Sequence, residues 1–419
     1  MIVLLLLALS ATDYKDIAPI LRAKCAPCHR PGEVAPFPLL THAQTASHGK
    51  QIAAVVEQGI MPPWKAVSGD FEGSRALTAR EKSMLLRWIR TGATKGAVEP
   101  PVPVFKEGWR LGEPDLVLEM PQAFEIPAEG ADLYQCFVIP LGIERYVRAW
   151  EFQPGARAAV HHALFFTDGS KGARKRAVAS GNGTYSCFGV PGFLPSGSLG
   201  GWSPGFAPFV SPPGTASRLQ AGHDLVMQIH YHPTGKPETD RSRIGLYFAK
   251  EPPSRKIVDI GLVSRDIDIP AGEAAYKVRD HFTIPIDVEV TGIIPHAHYI
   301  CKQMLGWATL PNGRKRMLLR IDDWDFNWQE QYRYRKPFVL PAGTRVDMEF
   351  TYDNSAANPR NPSRPPARVE WGPDTTDEMA GLHIQAIPVR MEEMPELGKA
   401  LWGKIMRTVG GRFYELPKR

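Results

Sequence analysis

From residue 13 to 96 apolar positions recur at helical spacing. Ile17, Ile20 and Leu21 line one face of a stretch from Asp16 to Ala26. A second helix is predicted from Ser47 to Gln58, with Gly59 as its C-terminal stop. Thr78-Ala79-Arg80-Glu81 reads as a capping box, in which the two side chains satisfy each other's backbone N–H groups, and opens a third helix through Ile89. Past the stiff linker Pro100-Pro101-Val102-Pro103 the period shortens. Short β-rich runs alternate with Gly/Pro turns: Asp115–Met120, Cys136–Pro140, Tyr146–Phe152, Asp224–His232, Ile244–Phe248, Val288–Gly292 and Arg345–Tyr352. The pattern predicts a multidomain chain: a small all-α domain over 13–98, a linker at 99–104, then an all-β remainder of sandwich or jelly-roll type. Residues 105–392 are many for one sandwich. Two β-sandwich subdomains are expected, 105–252 and 253–392, with the break near Glu251–Ile257 and a helical tail over 393–419.

Composition sharpens this picture in two places. The chain holds 38 Gly and 39 Pro among 419 residues, which favours turn-rich β architecture. The net charge of +6 is mixed in sign along the chain, so it reads as a solvated basic surface and no nucleic-acid partner is expected. Residues 1–11 form a short apolar run ending in small residues, like the core and cleavage site of a secretory signal. The run lacks a basic segment ahead of it, which leaves the true start open. It is too short to cross a bilayer, and no stable membrane span is expected.

The strongest chemical signal is Cys25-Ala26-Pro27-Cys28-His29, the attachment signature of a c-type haem. Two thiols would form thioether links and the histidine would reach the iron. A zinc half-site or a thioredoxin-like redox pair is the rival reading, but zinc needs a second ligand pair and the next cysteine is Cys136. Met61, in Met61-Pro62-Pro63-Trp64, is the candidate sixth ligand, with Met84 the weaker rival. Haem c is attached outside the bacterial cytoplasm, so motif and leader agree on a periplasmic or secreted protein. In an oxidising compartment Cys136 and Cys187 are a candidate disulfide that sequence alone leaves open, and Cys301 remains.

Three histidine groups fall in the β region: His161-His162, His230-Tyr231-His232 and His296-Ala297-His298. Residues two apart on a strand share a face, so each His-x-His pair can grip one metal. Adjacent His161 and His162 need a bulge or a strand end to converge. No carboxylate sits beside any of these groups in the sequence, and imidazole-rich sites suit zinc, copper or nickel. Met379, in Asp377-Glu378-Met379, offers a soft thioether that favours Cu(I).

The order His-His, strand ending His-Tyr, His-x-His, then Asp-Glu-Met resembles the copper type II ascorbate-dependent monooxygenases, the family of the peptidylglycine and dopamine hydroxylases. The resemblance covers roughly residues 105–390, and Cys136 and Cys187 fall where that family has a disulfide. The haem motif ahead of it is similar to bacterial cytochrome c fusions of that family. The resemblance implies two coppers facing each other across a cleft between two jelly-roll subdomains. His161, His162 and His230 would hold the electron-storing copper, with His232 a rival to His230. His296, His298 and Met379 would hold the copper at which O2 is used to hydroxylate a C–H bond. Gln228 matches a family glutamine before the histidine. Each turnover needs two electrons, which the haem domain is expected to supply from an ascorbate-like or protein donor. Ile294, Gly381 and His383 stand where the peptide enzyme binds its substrate's carboxylate, so a C-terminal glycine substrate is not expected. Trp307, Trp324, Trp328 and Tyr332 are pocket candidates or core aromatics, and the polar loop Asp353–Pro359 is a cleft border or a surface turn. The expected function is an exported haem- and copper-dependent monooxygenase acting on a small organic molecule. The alternatives are a non-catalytic electron-transfer or copper-binding protein on the same fold and a β-sandwich binding module.

Overall fold

A computed structural model describes residues 12–106, 108–187, 191–372 and 374–409. The expected signal-like segment 1–11 lies outside them, as does 410–419 of the tail. The protein is mostly β-sheet, arranged in several separate sheets. The chain divides into two compact units. One runs to Trp64 and resumes over Ser74–Gly108; the other takes Lys65–Gly73 and continues from Trp109.

Among the described residues the first unit carries four helices: α1 (Tyr14–Lys24), α2 (His42–Ser47), α3 (Gly49–Glu57) and α4 (Ala79–Arg90). The Thr78–Glu81 capping box opens α4, with reciprocal bonds of 2.7 and 3.1 Å. Helix α2 was not foreseen; it rests on a second capping box, Thr41 with Gln44, in a segment too short to show a period. Tyr14, Ile17, Leu21, Leu85 and Trp88 form the helical core. Gly59 follows α3 with φ of 70°, the left-handed conformation that ends a helix at little cost only for glycine. The Pro-rich stretch packs on this unit: Arg22 bonds to the Pro101 carbonyl and Arg30 lies 4.1 Å over the Phe105 ring.

Within the second unit no sheet among the described residues mixes strands from before and after residues 249–257. Before the break, one sheet combines Leu133–Pro140, Asp224–Tyr231, Val160–Asp168 and Gly197–Trp202, with Thr184–Ser186 at its edge. A second sheet is built around Arg145–Gln153 and Arg243–Phe248. Phe137, Trp150, Phe152, Phe165, Met227 and Tyr231 fill one core. Trp150 is fixed there, its indole N–H donating to the Leu199 carbonyl at 2.7 Å. Helix α5 (Gly172–Ala179) packs on this half beside the disulfide Cys136–Cys187.

After the break, Val258–Ser264, Ala380–Pro388, Val288–His296 and Tyr332–Leu340 form one sheet, and Tyr276–Thr283, Arg345–Tyr352, Cys301–Thr309 and Lys315–Ile321 another. Helix α6 (Met394–Val409) covers the described part of the segment 393–419 expected as a helical tail. The segment Lys65–Gly73 joins this half: Ala66 bridges to Ile321, Phe71 to Tyr334, and Lys65 pairs with Asp323 at 3.0 Å. Phe71 is buried with its ring 5.0 and 4.9 Å from Tyr332 and Tyr334. The expected contiguous block 13–98 is therefore interrupted, because an aromatic in a polar, Gly-bearing turn finds its core elsewhere.

Candidate metal centres

The strand Asp224–Tyr231 pairs with Val160–Asp168 so that His230 faces His162 while Tyr231 faces Val160. His161 is the extra residue of a bulge, which turns two adjacent side chains toward one point. The result is a cluster of His161, His162 and His230. Their Nδ1 atoms form a near-equilateral triangle with edges of 3.3, 3.1 and 3.2 Å. The centre of such a triangle is about 1.8 Å from each corner, close to the roughly 2.0–2.1 Å of a metal–imidazole bond. Burial, reinforced by His230, holds His161 at about 4 and His162 well below the usual imidazole range. With His161 and His162 held neutral, the Nδ1 atoms of the three rings face one point that a single cation would fill.

A carboxylate completes this cluster from a distance that sequence could not reveal. Asp132 accepts from His230 Nε2 at 2.8 Å through one oxygen and from His232 Nδ1 at 2.8 Å through the other. The first bond fixes the His230 tautomer with Nδ1 free, the arrangement found behind metal-bound histidines. These bonds, that from His230 first, hold Asp132 down to about 2. His232 is exposed and lies outside the nitrogen triangle. Tyr134 stacks on His230 with ring centres 4.2 Å apart. Gln228 is buried and donates to the Cys187 carbonyl, which ties the His230 strand to the disulfide.

The second group lies where the strand Val288–His296 runs antiparallel to Ala380–Pro388, with His296 opposite Gly381. That register carries Met379 toward His298. The imidazole centres of His296 and His298 are 5.3 Å apart. Each ring has its Nδ1 occupied: His296 bonds to Gln329 Oε1 at 2.7 Å and His298 to the Asp377 carbonyl at 3.0 Å. An acceptor at Nδ1 places the proton of His296 there and leaves its Nε2 to carry the lone pair, while His298 also meets the Asp374 backbone carbonyl. Burial first, then the neighbouring His298, pushes His296 down to about 4, and burial lowers His298. Met379 is half-buried; its carbonyl accepts from the Tyr352 hydroxyl at 2.6 Å. Cys301 is buried behind this group, and burial raises its thiol well above the usual range.

One loop, residues 322–331, touches both groups. Trp328 brings its ring 6.1 Å from His161, Gln329 holds His296, and the Trp324 indole N–H donates to the His298 carbonyl at 3.1 Å. Trp324 and Tyr332 are fully buried core aromatics, whereas Trp328 and Trp307 are half-buried. The polar loop Asp353–Pro359 is a structural knot: the buried Asn354 amide donates to the carbonyls of Ile269, Pro270 and Ala367.

In the helical unit, α1 ends just before Cys25, and Cys25 and Cys28 are half-buried free thiols. His29 bonds through Nδ1 to the Phe37 carbonyl at 3.0 Å, leaving Nε2 unengaged, as a haem ligand requires. Met61 is half-buried in the turn after α3, its N–H on the Val55 carbonyl at 3.2 Å, while Met84 packs against the helical core.

No protein-family model and no curated protein matches the chain. Among solved structures it is similar to the major capsid protein P2 of Bacteriophage PM2, at 8% identity and a TM-score of 0.26 over 66% of this chain and 97% of that one. The infectious bursal disease virus VP2 subviral particle gives 8% identity and a TM-score of 0.17 over 72% and 89%. The CBM22 tandem domain of Paenibacillus barcinonensis Xyn10C gives 11% and 0.16 over 68% and 95%. Similarity at this level assigns neither family nor function.

Proposed function

We propose that this protein is an exported, haem c-containing, copper-dependent monooxygenase that hydroxylates a C–H bond of a small organic substrate. In this reading the helical unit is a cytochrome c-like domain and the two β halves are tandem jelly rolls. The observation that carries it is the pair of histidine groups, one converging through Nδ1 and the other with Nδ1 turned to Gln329 and the Asp377 carbonyl. His161, His162 and His230 present Nδ1; His296 and His298 have Nδ1 occupied. Two distinct all-imidazole donor sets, one beside a methionine, fit copper better than a structural zinc, whose ligands are commonly thiolates.

His161, His162 and His230 would hold one copper and His296, His298 and Met379 the other. When bound, the two metals supply one electron each and the reductive activation of O2. The chain's part is to keep the five imidazoles and the thioether aimed. Burial favours the neutral form of His161, His162, His296 and His298; Asp132, Gln329 and the Asp377 carbonyl bond to the rings; and the loop 322–331 ties the two groups together. Cys25 and Cys28 would bind the haem, with His29 and Met61 as its axial ligands. The disulfide supports an oxidising compartment. No helix among the described residues is long and apolar enough to cross a membrane.

The test is copper per polypeptide after anaerobic reconstitution and desalting, in wild type and Met379→Ala. Two coppers, with Cu(I) retention weakened in the variant, are expected, followed by substrate-dependent O2 uptake in a screen of small organic molecules. No copper, or one copper indifferent to Met379, overturns the reading.

A further inference from the structure

We propose that Glu378 is the positioning residue of the second histidine group, setting His298 and Met379 at the separation a shared metal requires. The inference rests on reading His296, His298 and Met379 as ligands to one copper.

Glu378 is 1% exposed. Its Oε2 accepts from the backbone N–H of His298 at 2.7 Å and from that of Met379 at 3.2 Å, and its Oε1 accepts from Ile300 N–H at 2.8 Å. One carboxylate oxygen therefore holds the main chain of two candidate ligands that lie far apart in sequence. His298 lies just after Val288–His296 and Met379 just before Ala380–Pro388, so among the described residues neither N–H belongs to a strand ladder. The fixation extends to the side chains' roots. The Asp377 carbonyl, one residue before Glu378, takes His298 Nδ1, and the Tyr352 hydroxyl takes the Met379 carbonyl. With both its N–H and its C=O held, Met379 keeps freedom only in its thioether arm.

A carboxylate is costly for a merely structural plug. A buried acid with backbone donors alone is harder to accommodate than an apolar side chain of the same size. What it offers is two acceptor oxygens in a fixed fork, able to gather three N–H groups from two strand ends. Outer partners of this kind typically change metal affinity 10–100-fold when lost.

The experiment uses the full-length protein loaded anaerobically with Cu(I), as wild type, Glu378→Gln and Glu378→Ala. It reads copper per polypeptide and the sulfur scatterer at the copper X-ray absorption edge. Wild type is expected to hold two coppers with a sulfur neighbour. Glu378→Ala is expected to hold one, without sulfur, the His161–His162–His230 copper remaining as the internal control for folding. Glu378→Gln keeps one acceptor oxygen, so the second copper is expected to bind about 10–100-fold more weakly; it decides the matter if the alanine variant does not fold. Two coppers with unchanged sulfur scattering in the variants overturn the proposal. Parallel loss of both coppers also overturns it, because the role is then global. Wild type without a sulfur neighbour defeats the Met379 reading itself, and the proposal with it.

Discussion

Asp132 shows how a single side chain can govern a candidate metal ligand without touching the metal. It grips the far nitrogen of His230 and shares its other oxygen with exposed His232. Asp132→Asn is expected to weaken metal binding at the triangle about 10–100-fold, measured by competition with a chelator of known affinity. His232→Ala should change it far less, since that ring only braces the carboxylate. The buried imidazoles also have a consequence for the metal-free protein. His161 and His296 titrate at about 4 in the fold and near 6.5 in an unfolded chain. Between these values the unfolded state binds more protons, so stability rises with pH across the window and is lost as pH falls from about 6.5 toward 4. Below that, Asp132 adds a further loss as it protonates toward 2. Urea midpoints of the metal-free protein should drop from pH 7 to 4.5; a flat profile would mean these rings are not held neutral.

At the scale of elements, the disulfide and the bulge act on the same strand. Cys136 pairs with Gln228 across the sheet, and the Gln228 amide returns to Cys187. The bond closes a separation of 51 residues, so its removal by Cys136→Ala/Cys187→Ala is expected to cost about 4 kcal/mol in urea unfolding. Helices α1, α3 and α4 and the β-rich runs after residue 104 were legible in the sequence because each follows from a local period or a turn residue. Both His-x-His groups and the Asp-Glu-Met triplet were legible as candidates because each is a local motif. Asp132, Gln329 and the bulge at His161 were not. Each acts on a partner brought close only by strand pairing, and no local pattern around Asp132 distinguishes it from a surface acid. His230 against His232 was undecidable for a related cause: strand alternation puts both on one face, and only the end of the pairing at Tyr231 separates them. Helix α2 escaped because its signal is a cap rather than a period.

For the whole molecule, the question is whether the helical unit serves the β unit. If haem feeds copper, a protein whose haem alone is reduced, with Cu(II) bound, should reoxidise its haem as the Cu(II) spectroscopic signal falls in step. Reduced haem persisting beside Cu(II) would sink that role. A deletion of residues 1–100 is a poor control, since it also removes Phe71 from a core between Tyr332 and Tyr334. Phe71→Ala alone is expected to cost about 3–5 kcal/mol in urea unfolding. Cys25→Ala/Cys28→Ala is the cleaner way to lose haem while sparing that core.

The excursion of Lys65–Gly73 makes the two units inseparable as cargo. A protease that nicks the chain among Pro100–Pro103 breaks the linker, yet the N-terminal fragment still carries a strap whose Phe71 and Lys65 belong to the β unit. The fragments should therefore travel together through gel filtration until denaturant is added. A helical unit anchored in this way cannot be lost by cleavage or exchanged by simple shuffling at the linker.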